Sequence, residues 1–256
     1  MSTADEPQGM LARGLAILVA LGNHPEGASV TEIARDVSLP ISTVHRLLAT
    51  EASLSFVSFD PSTKRYRLGF KVFELAHKVS SVASLADAAR PTMRELSAAT
   101  GETVQLAVLS ENRTLFLEKV GTPQPIGIRG SVGDSESVHA TSTGKVLISG
   151  LPDDELDALL TGSAFEAHTA NTITDPTRLR EHIEQVRAEQ YAVADEEFDE
   201  GVRAIAVPVR DGRGQLRAAL CVSAPAFRTS AETLHGWLTE LRAAAAEIGT
   251  RLPLSS

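Results

Sequence analysis

Cysteine and aromatic residues are scarce in this chain. One cysteine, Cys221, stands among 256 residues. That count excludes an internal disulfide and argues against a cysteine-rich zinc or iron–sulfur centre. A reducing compartment fits such usage. Aromatic residues make up 4%, too few for a stacking platform that binds single-stranded nucleic acid. No run approaches the roughly 20 apolar residues that span a bilayer. The opening "MSTADEPQGM" is polar and acidic, and the apolar run Leu15–Leu21 is short and follows a single arginine, unlike a signal peptide. No His-x-x-x-His pair occurs among the histidines. The expectation is a cytoplasmic protein with no membrane partner, no metal and no cofactor.

What is present is the balance of a globular protein, 43% hydrophobic and 22% charged. The net charge of −9 argues at first against nucleic acid, but it is unevenly spread. Residues 1–84 are neutral overall, and the remainder carries the whole excess. Within 40–71, Arg46, Lys64, Arg65, Arg67 and Lys71 outnumber Glu51 and Asp60. A phosphate backbone responds to local charge rather than to the total.

The N-terminal pattern is compact. "LARGLAILVALGNHP" places Leu11, Leu15, Leu18, Val19 and Ala20 on a helical stripe closed by Gly22 and Pro25. "SVTEIARDV" offers Thr31 as an N-cap, or Ser29 with Glu32 as a capping box, and turns Ile33, Ala34 and Val37 inward. "SLPI" breaks that helix. A third begins at Ile41, with Ile41, Val44, Leu47 and Leu48 as its apolar side. "FVSF", the turn "DPSTK" and "RYRLG" then read as a β-hairpin. Three helices followed by a hairpin is the order of a winged helix-turn-helix.

On a helical wheel, Ser42 and Arg46 of the third helix fall opposite Val44, Leu47 and Leu48, with Thr43 and His45 flanking them. A short braced helix showing small polar groups and one arginine suits a major groove. Arg46 has the reach for a bidentate guanine contact, and His45 either touches a phosphate or fills the edge of the domain core. Lys64 lies in the hairpin turn, with Arg65 and Arg67 alternating on the next strand, as a wing along a backbone requires.

Beyond residue 84 the chain mixes types. "ETVQLAVL" and "TLFLEKV" are strand-like around "SENR"; "SVHATSTGKVLISG", "DDELDALL" and "TDPTRLREHIEQVRAEQ" are helical. In the last, Thr174 or Asp175 caps the helix, with Pro176 just inside it. "RAIAVPVRDGRGQLRAALCVSAP" reads as two strands around "DGRG", and a final helix spans about 231–251. Pro91 marks a break in the connecting helical segment. The expected class is α+β with an antiparallel sheet.

Together these residues resemble the IclR family of bacterial transcriptional regulators. The similarity covers "TEIARDVSLPISTVHRLLAT" and "DPSTKRYRLG" near the N-terminus. Further on it covers "AARPTMRELSAATGETVQLAVL", "HATSTGKVLIS", "TITDP", "YAVADEEFDEGVRAIAVPVRD" and "AALCVSAP". The resemblance implies a winged helix-turn-helix DNA-binding domain over 8–70, a linker helix used in dimerisation over 71–84, and a GAF-like effector-binding domain over 85–254. It implies homodimers, often paired into tetramers, that commonly repress a duplex operator until a small molecule binds. It places Ile41, Ser42, Thr43, His45, Arg46, Lys64, Arg65 and Arg67 at DNA. It places Ile128, Glu136, Ser142, Thr143, Ala194, Ala204, Cys221 and Ser223 around the effector. Some positions depart from the family. Many relatives carry a basic or small polar residue at Ile41 and a glycine at Ser55. Members sensing small keto acids tend to have cysteine at Ala204 and aspartate at Ala194. Glu136 adds a carboxylate, which either points to solvent or favours an apolar-bodied ligand with polar or cationic character.

Other chemistry fits less well. "STGK" matches the Ser-x-x-Lys of serine acyl enzymes through Ser142 and Lys145, but no Lys-Thr-Gly follows, and an enzymatic function is not expected. "TGKV" lacks the glycine and hydroxyl of a phosphate loop. "DEEFDE" (195–200) reads as a solvated acidic loop, and His139 as structural. Two alternatives to the regulator remain: a serine acyl enzyme using Ser142 and Lys145, and a sensor whose winged helix binds protein rather than DNA, drawn from Ile41 and Ser55.

Overall fold

The computed structural model describes residues 9–78 and 80–252. The chain divides into two compact units between Ala83 and Ser84.

The first unit holds α1 (Met10–Gly22), α2 (Val30–Asp36), α3 (Ile41–Ser53), the hairpin β1 (Val57–Asp60) and β2 (Arg65–Leu68), and α4 (Phe70–Lys78). Ser29, not Thr31, caps α2. Its hydroxyl accepts from Glu32 N while its own N–H donates to Glu32 Oε2 at 2.7 Å, which satisfies two orphan groups at once. Helix α2 ends in a Schellman turn: Ser38 adopts φ 53°, Leu39 N–H donates to Ala34 O and Ser38 N–H to Arg35 O. Pro40 is the N-cap of α3, with φ −58° and ψ 137°, and its missing N–H keeps α2 from continuing. Ile33, Ala34, Val37, Val44, Leu47 and Leu48 meet Ile17, Ala20 and Leu21 in one small core.

Two expectations about apolar faces are corrected. Helix α1 buries Ile17, Ala20 and Leu21, whereas Leu11, Leu15 and Val19 are exposed, Leu11 by 77%. The apolar residues run nearly around this helix, so periodicity alone did not select the buried side. Ile41 is 52% exposed because it opens α3 ahead of the first buried turn.

The second unit contains α5 (Ser80–Thr100), β3 (Thr103–Ser110), β4 (Arg113–Val120), β5 (Ser135–Ser137), α6 (Ser142–Ser149), α7 (Asp153–Gly162) and α8 (Pro176–Glu189). After them come β6 (Ala192–Asp195), β7 (Val202–Arg210), β8 (Leu216–Pro225), α9 (Ala231–Gly236) and α10 (Leu238–Thr250). Pro91 lies inside α5 without ending it. Leu85, Ala86, Ala89, Met93 and Leu96 hold both sides of the proline in the core. Their burial offsets the roughly 3 kcal/mol that an internal proline costs. The final helix is split at Trp237. The segment "SVHATSTGK" is helical only from Ser142, since 135–137 form an edge strand.

The six strands are antiparallel in the order β5-β4-β3-β8-β7-β6. Alternation assigns their faces. Val104, Leu106, Ile205, Val207, Leu220 and Val222 pack with α5, α9 and α10. The intervening residues face α6, and several are small. Ala194 pairs Ala204, Ala204 pairs Ser223, Ala206 pairs Cys221, and Cys221 pairs Gln105 across four strands. Helix α6 does not fill the space above them, and a cavity remains.

Candidate DNA-reading surface and ligand cavity

Helix α3 presents Ser42, His45 and Arg46 to solvent, with Thr43 half-buried beside them and Val44, Leu47 and Leu48 beneath. The only described side-chain hydrogen bond of Arg46 is a weak one, to Met10 Sδ at 3.7 Å. The guanidinium therefore has most of its donors available. The hairpin turn is organised by Asp60, whose Oδ1 accepts from Ser62 N–H at 2.9 Å and from the Ser62 hydroxyl at 2.6 Å. These bonds hold the Asp60 carboxyl down at a pKa of about 2. Lys64, at the turn's end with φ 55°, is exposed.

Arg65 and Arg67 are placed differently from a free wing. Arg65 Nε donates to Gly27 O at 2.9 Å and its guanidinium faces Glu32. Arg67 Nε donates to Glu26 O at 3.2 Å. Both fasten the hairpin to the segment before α2, and part of their charge is spent inside the domain.

Ser55 sits at φ 64°. It is the residue after the C-cap of α3, in a second Schellman turn: Phe56 N–H donates to Glu51 O and Ser55 N–H to Ala52 O. The left-handed backbone explains a glycine preference at this position.

In the other unit, all eight residues expected at an effector line one cavity of about 230 Å³: Ile128, Glu136, Ser142, Thr143, Ala194, Ala204, Cys221 and Ser223. Ser142 and Thr143 open α6, whose N-cap Thr141 accepts from Gly144 N–H. Their hydroxyls make no hydrogen bond among the described residues, although Ser142 is 1% and Thr143 2% exposed. Gln105 Oε1 takes the Ser223 hydroxyl at 3.0 Å. Burial, with Glu136 nearby, pushes the Cys221 thiol up to about 12, so it stays protonated and is no nucleophile.

Glu136 is the cavity's unusual group. Burial, reinforced by Asp199 and Asp134, raises its pKa to about 7. The two neighbouring cations are turned elsewhere. Lys119 Nζ donates to Ile128 O at 2.8 Å and Gly130 O at 2.7 Å, and Arg113 Nη2 to Ser135 O at 2.7 Å.

Sequence reasoning missed Gln105, Phe116, Arg129, Glu197, Phe198 and Asp199, which also line the cavity. Alternation along "ETVQLAVL" could have found Gln105, which shares the face of Thr103 and Ala107. The acidic loop 195–200 is not simply solvated. Glu197 is buried and meets Lys145, and the Thr172 hydroxyl donates to Glu197 O at 2.7 Å. His139 is buried with Nε2 3.0 Å from Glu166 O, as a structural residue would be.

Lys145 Nζ is bonded to Glu197 Oε1 and Val193 O, and no bond joins it to Ser142. The pairing of nucleophile and base that an acyl enzyme needs is therefore not formed. Among the described residues no cluster suited to a metal ion occurs, and no helix is long and apolar enough to cross a membrane.

A winged helix-turn-helix with an exposed reading face, and a separate α+β unit with a cavity over an antiparallel sheet, define a ligand-responsive DNA-binding regulator. The comparisons agree. The model of the IclR helix-turn-helix domain matches residues 10–61, and that of the bacterial transcriptional regulator IclR C-terminal domain matches 77–250. The chain belongs to the IclR family of transcriptional regulators.

It is 34% identical over 236 residues to the HTH-type transcriptional regulator KdgR of Escherichia coli K12, covering 92% of this chain and 89% of that one. A transcriptional regulator structure from Rhodococcus sp. RHA1 superposes with TM-score 0.80 at 32% identity, covering 95% of this chain and 97% of that one. An IclR homolog from Microbacterium hydrocarbonoxydans, complexed with 4-hydroxybenzoate, superposes with TM-score 0.83 at 28% identity, covering 95% and 99%.

Proposed function

We propose that this regulator is a repressor acting in the cytoplasm, which binds a duplex operator as a homodimer and is released when a small organic molecule enters the α6 cavity. Ser42, Thr43, His45 and Arg46 read the major groove or its phosphates, with Ile41 against the groove edge. Lys64 tracks the backbone, and Arg65 and Arg67 hold the wing in place while adding positive field. The domains run over 8–70 and 85–254, with α4 and the start of α5 as the connection between them.

A two-fold dimer places two reading helices on successive turns of one face of the duplex, so its operator is close to palindromic. The exposed Phe70 and Leu75 on α4 supply apolar surface for pairing, and dimers can pair again. Occupancy of a promoter in this way excludes the polymerase, which makes repression the simplest output.

The observation that carries this reading is the coexistence in one chain of an exposed reading helix and a cavity lined by hydroxyls that have no hydrogen-bond partner among the described residues. The test uses a duplex selected from genomic fragments and followed by fluorescence anisotropy. Ala204→Leu, which fills the cavity floor, should leave duplex affinity intact and abolish ligand-driven release. Full duplex affinity in a chain lacking residues 1–70 would reject the reading.

A further inference from the structure

We propose that the effector of this cavity is a small amino acid-like zwitterion, its ammonium seated on Glu136 and its carboxylate on the hydroxyls and free amides that open α6. The proposal rests on the cavity being the sensor site.

Glu136 stands on β5, opposite Thr114 of β4, and lines the cavity. It accepts no hydrogen bond and forms no ion pair among the described residues. The two cations that act on it electrostatically, Lys119 and Arg113, are already committed. Lys119 is held by the carbonyls of Ile128 and Gly130, and Arg113 by the Ser135 hydroxyl and carbonyl. Two other acids act on it, Asp199 and Asp134; both add negative charge, and Asp199 lines the same cavity.

A ligand that closes over Glu136 without bringing a donor would leave a desolvated carboxylate unpaired. A ligand with a second acid at that place would set like charges together. Either is disfavoured before any attraction is counted. An ammonium answers both problems through a charge-assisted hydrogen bond.

The other pole is at α6. Thr141 Oγ1 satisfies Gly144 N–H, and no acceptor within the helix serves the amides of Ser142 and Thr143, since they stand in its first turn. Beside them lie the Ser142 and Thr143 hydroxyls, which have no hydrogen-bond partner among the described residues. First-turn amides carry the positive end of the helix dipole, and with two hydroxyl donors they suit a carboxylate. Exposed Arg129 adds a cation to the lining. Phe116, Ile128 and Ala204 offer apolar surface to the ligand's body.

The experiment is a calorimetric titration of the full chain with matched pairs in which only an ammonium is exchanged for a hydroxyl. The pairs are alanine and lactate, leucine and 2-hydroxy-4-methylpentanoate, phenylalanine and 3-phenyllactate, 4-aminobutyrate and 4-hydroxybutyrate, and 4-(aminomethyl)benzoate and 4-(hydroxymethyl)benzoate. The expected result is that the amine member of at least one pair binds about tenfold or more tightly than its partner, and that E136Q removes that preference. A parallel melting curve checks that E136Q remains folded.

Equal or tighter binding of the hydroxy acids, an E136Q variant that keeps the preference, or no binding by any pair overturns the proposal. Each compound that binds is also added to the protein–duplex complex. Release by a hydroxy acid alone rejects the zwitterion and keeps the sensor reading. Binding of the amine without release keeps the cavity chemistry and rejects the regulatory reading.

Discussion

Lys145 Nζ lies 2.5 Å from Glu197 Oε1, and none of the lysine side chain is exposed. Burial pulls the lysine pKa down and pushes the glutamate up, while each charge opposes the shift in its partner. The pair ties α6 to the loop that contributes Glu197, Phe198 and Asp199 to the cavity. Lys145→Met should destabilise the protein by about 3–5 kcal/mol, because it strands a buried carboxylate. Adding Glu197→Leu should restore much of that loss. Urea midpoints for the single and double variants check both statements.

On the reading helix, Arg46→Ala should weaken binding to the selected duplex by about tenfold to a hundredfold, corresponding to about 1–3 kcal/mol for a bidentate base contact. Lys64→Ala should weaken all duplexes alike and lower the salt slope by about one. Arg65→Ala should act more on thermal stability than on affinity, since its bonds run to Gly27 and Glu32. Anisotropy titrations at several salt concentrations separate the three.

Ser55 holds a left-handed conformation at φ 64° in the turn that ends α3. Ser55→Gly should therefore raise stability by about 1 kcal/mol, with no loss of duplex binding. A lower melting temperature in this variant would contradict the strain.

Glu51, on the same helix, has both carboxylate oxygens buried without a hydrogen-bond partner, and burial pushes its pKa up to about 7 from an ordinary 4.5. Between those two values the folded state binds more protons than the unfolded chain. The stabilising contribution of the neutral acid is thus complete below the unfolded value and is lost as pH rises through the folded one. Glu51→Gln should stabilise by about 1–2 kcal/mol near pH 8, allowing for solvent screening, and change little near pH 4.5. Melting curves at the two pH values test the difference.

Much of the DNA-reading unit was legible because its signals are local. The capping box at Ser29 and Glu32, the break at Pro40 and the Asp60 turn each act within four residues of their own position. The cavity was legible through resemblance for eight residues. Phe198 and Asp199 escaped notice because an acidic run gives no sign that one of its members, Glu197, will be buried. That burial depends on Lys145, 52 positions away. The wing arginines were read as free for the same reason, since their acceptors lie at Glu26 and Gly27.

By itself, the amino-acid order determined the capping of α2 and α8, the break at Pro40, the hairpin and its turn, and the alternation that puts small residues on one face of the sheet. These follow from hydrogen bonds and periodicities spanning a few neighbours. Tertiary structure alone decided which side of α1 is covered, that α5 continues through Pro91, that 135–137 and 192–195 become strands, and that Glu136 forms no ion pair among the described residues. Each of these is settled by groups far apart in the chain, whose burial and charge act only once the fold has brought them together.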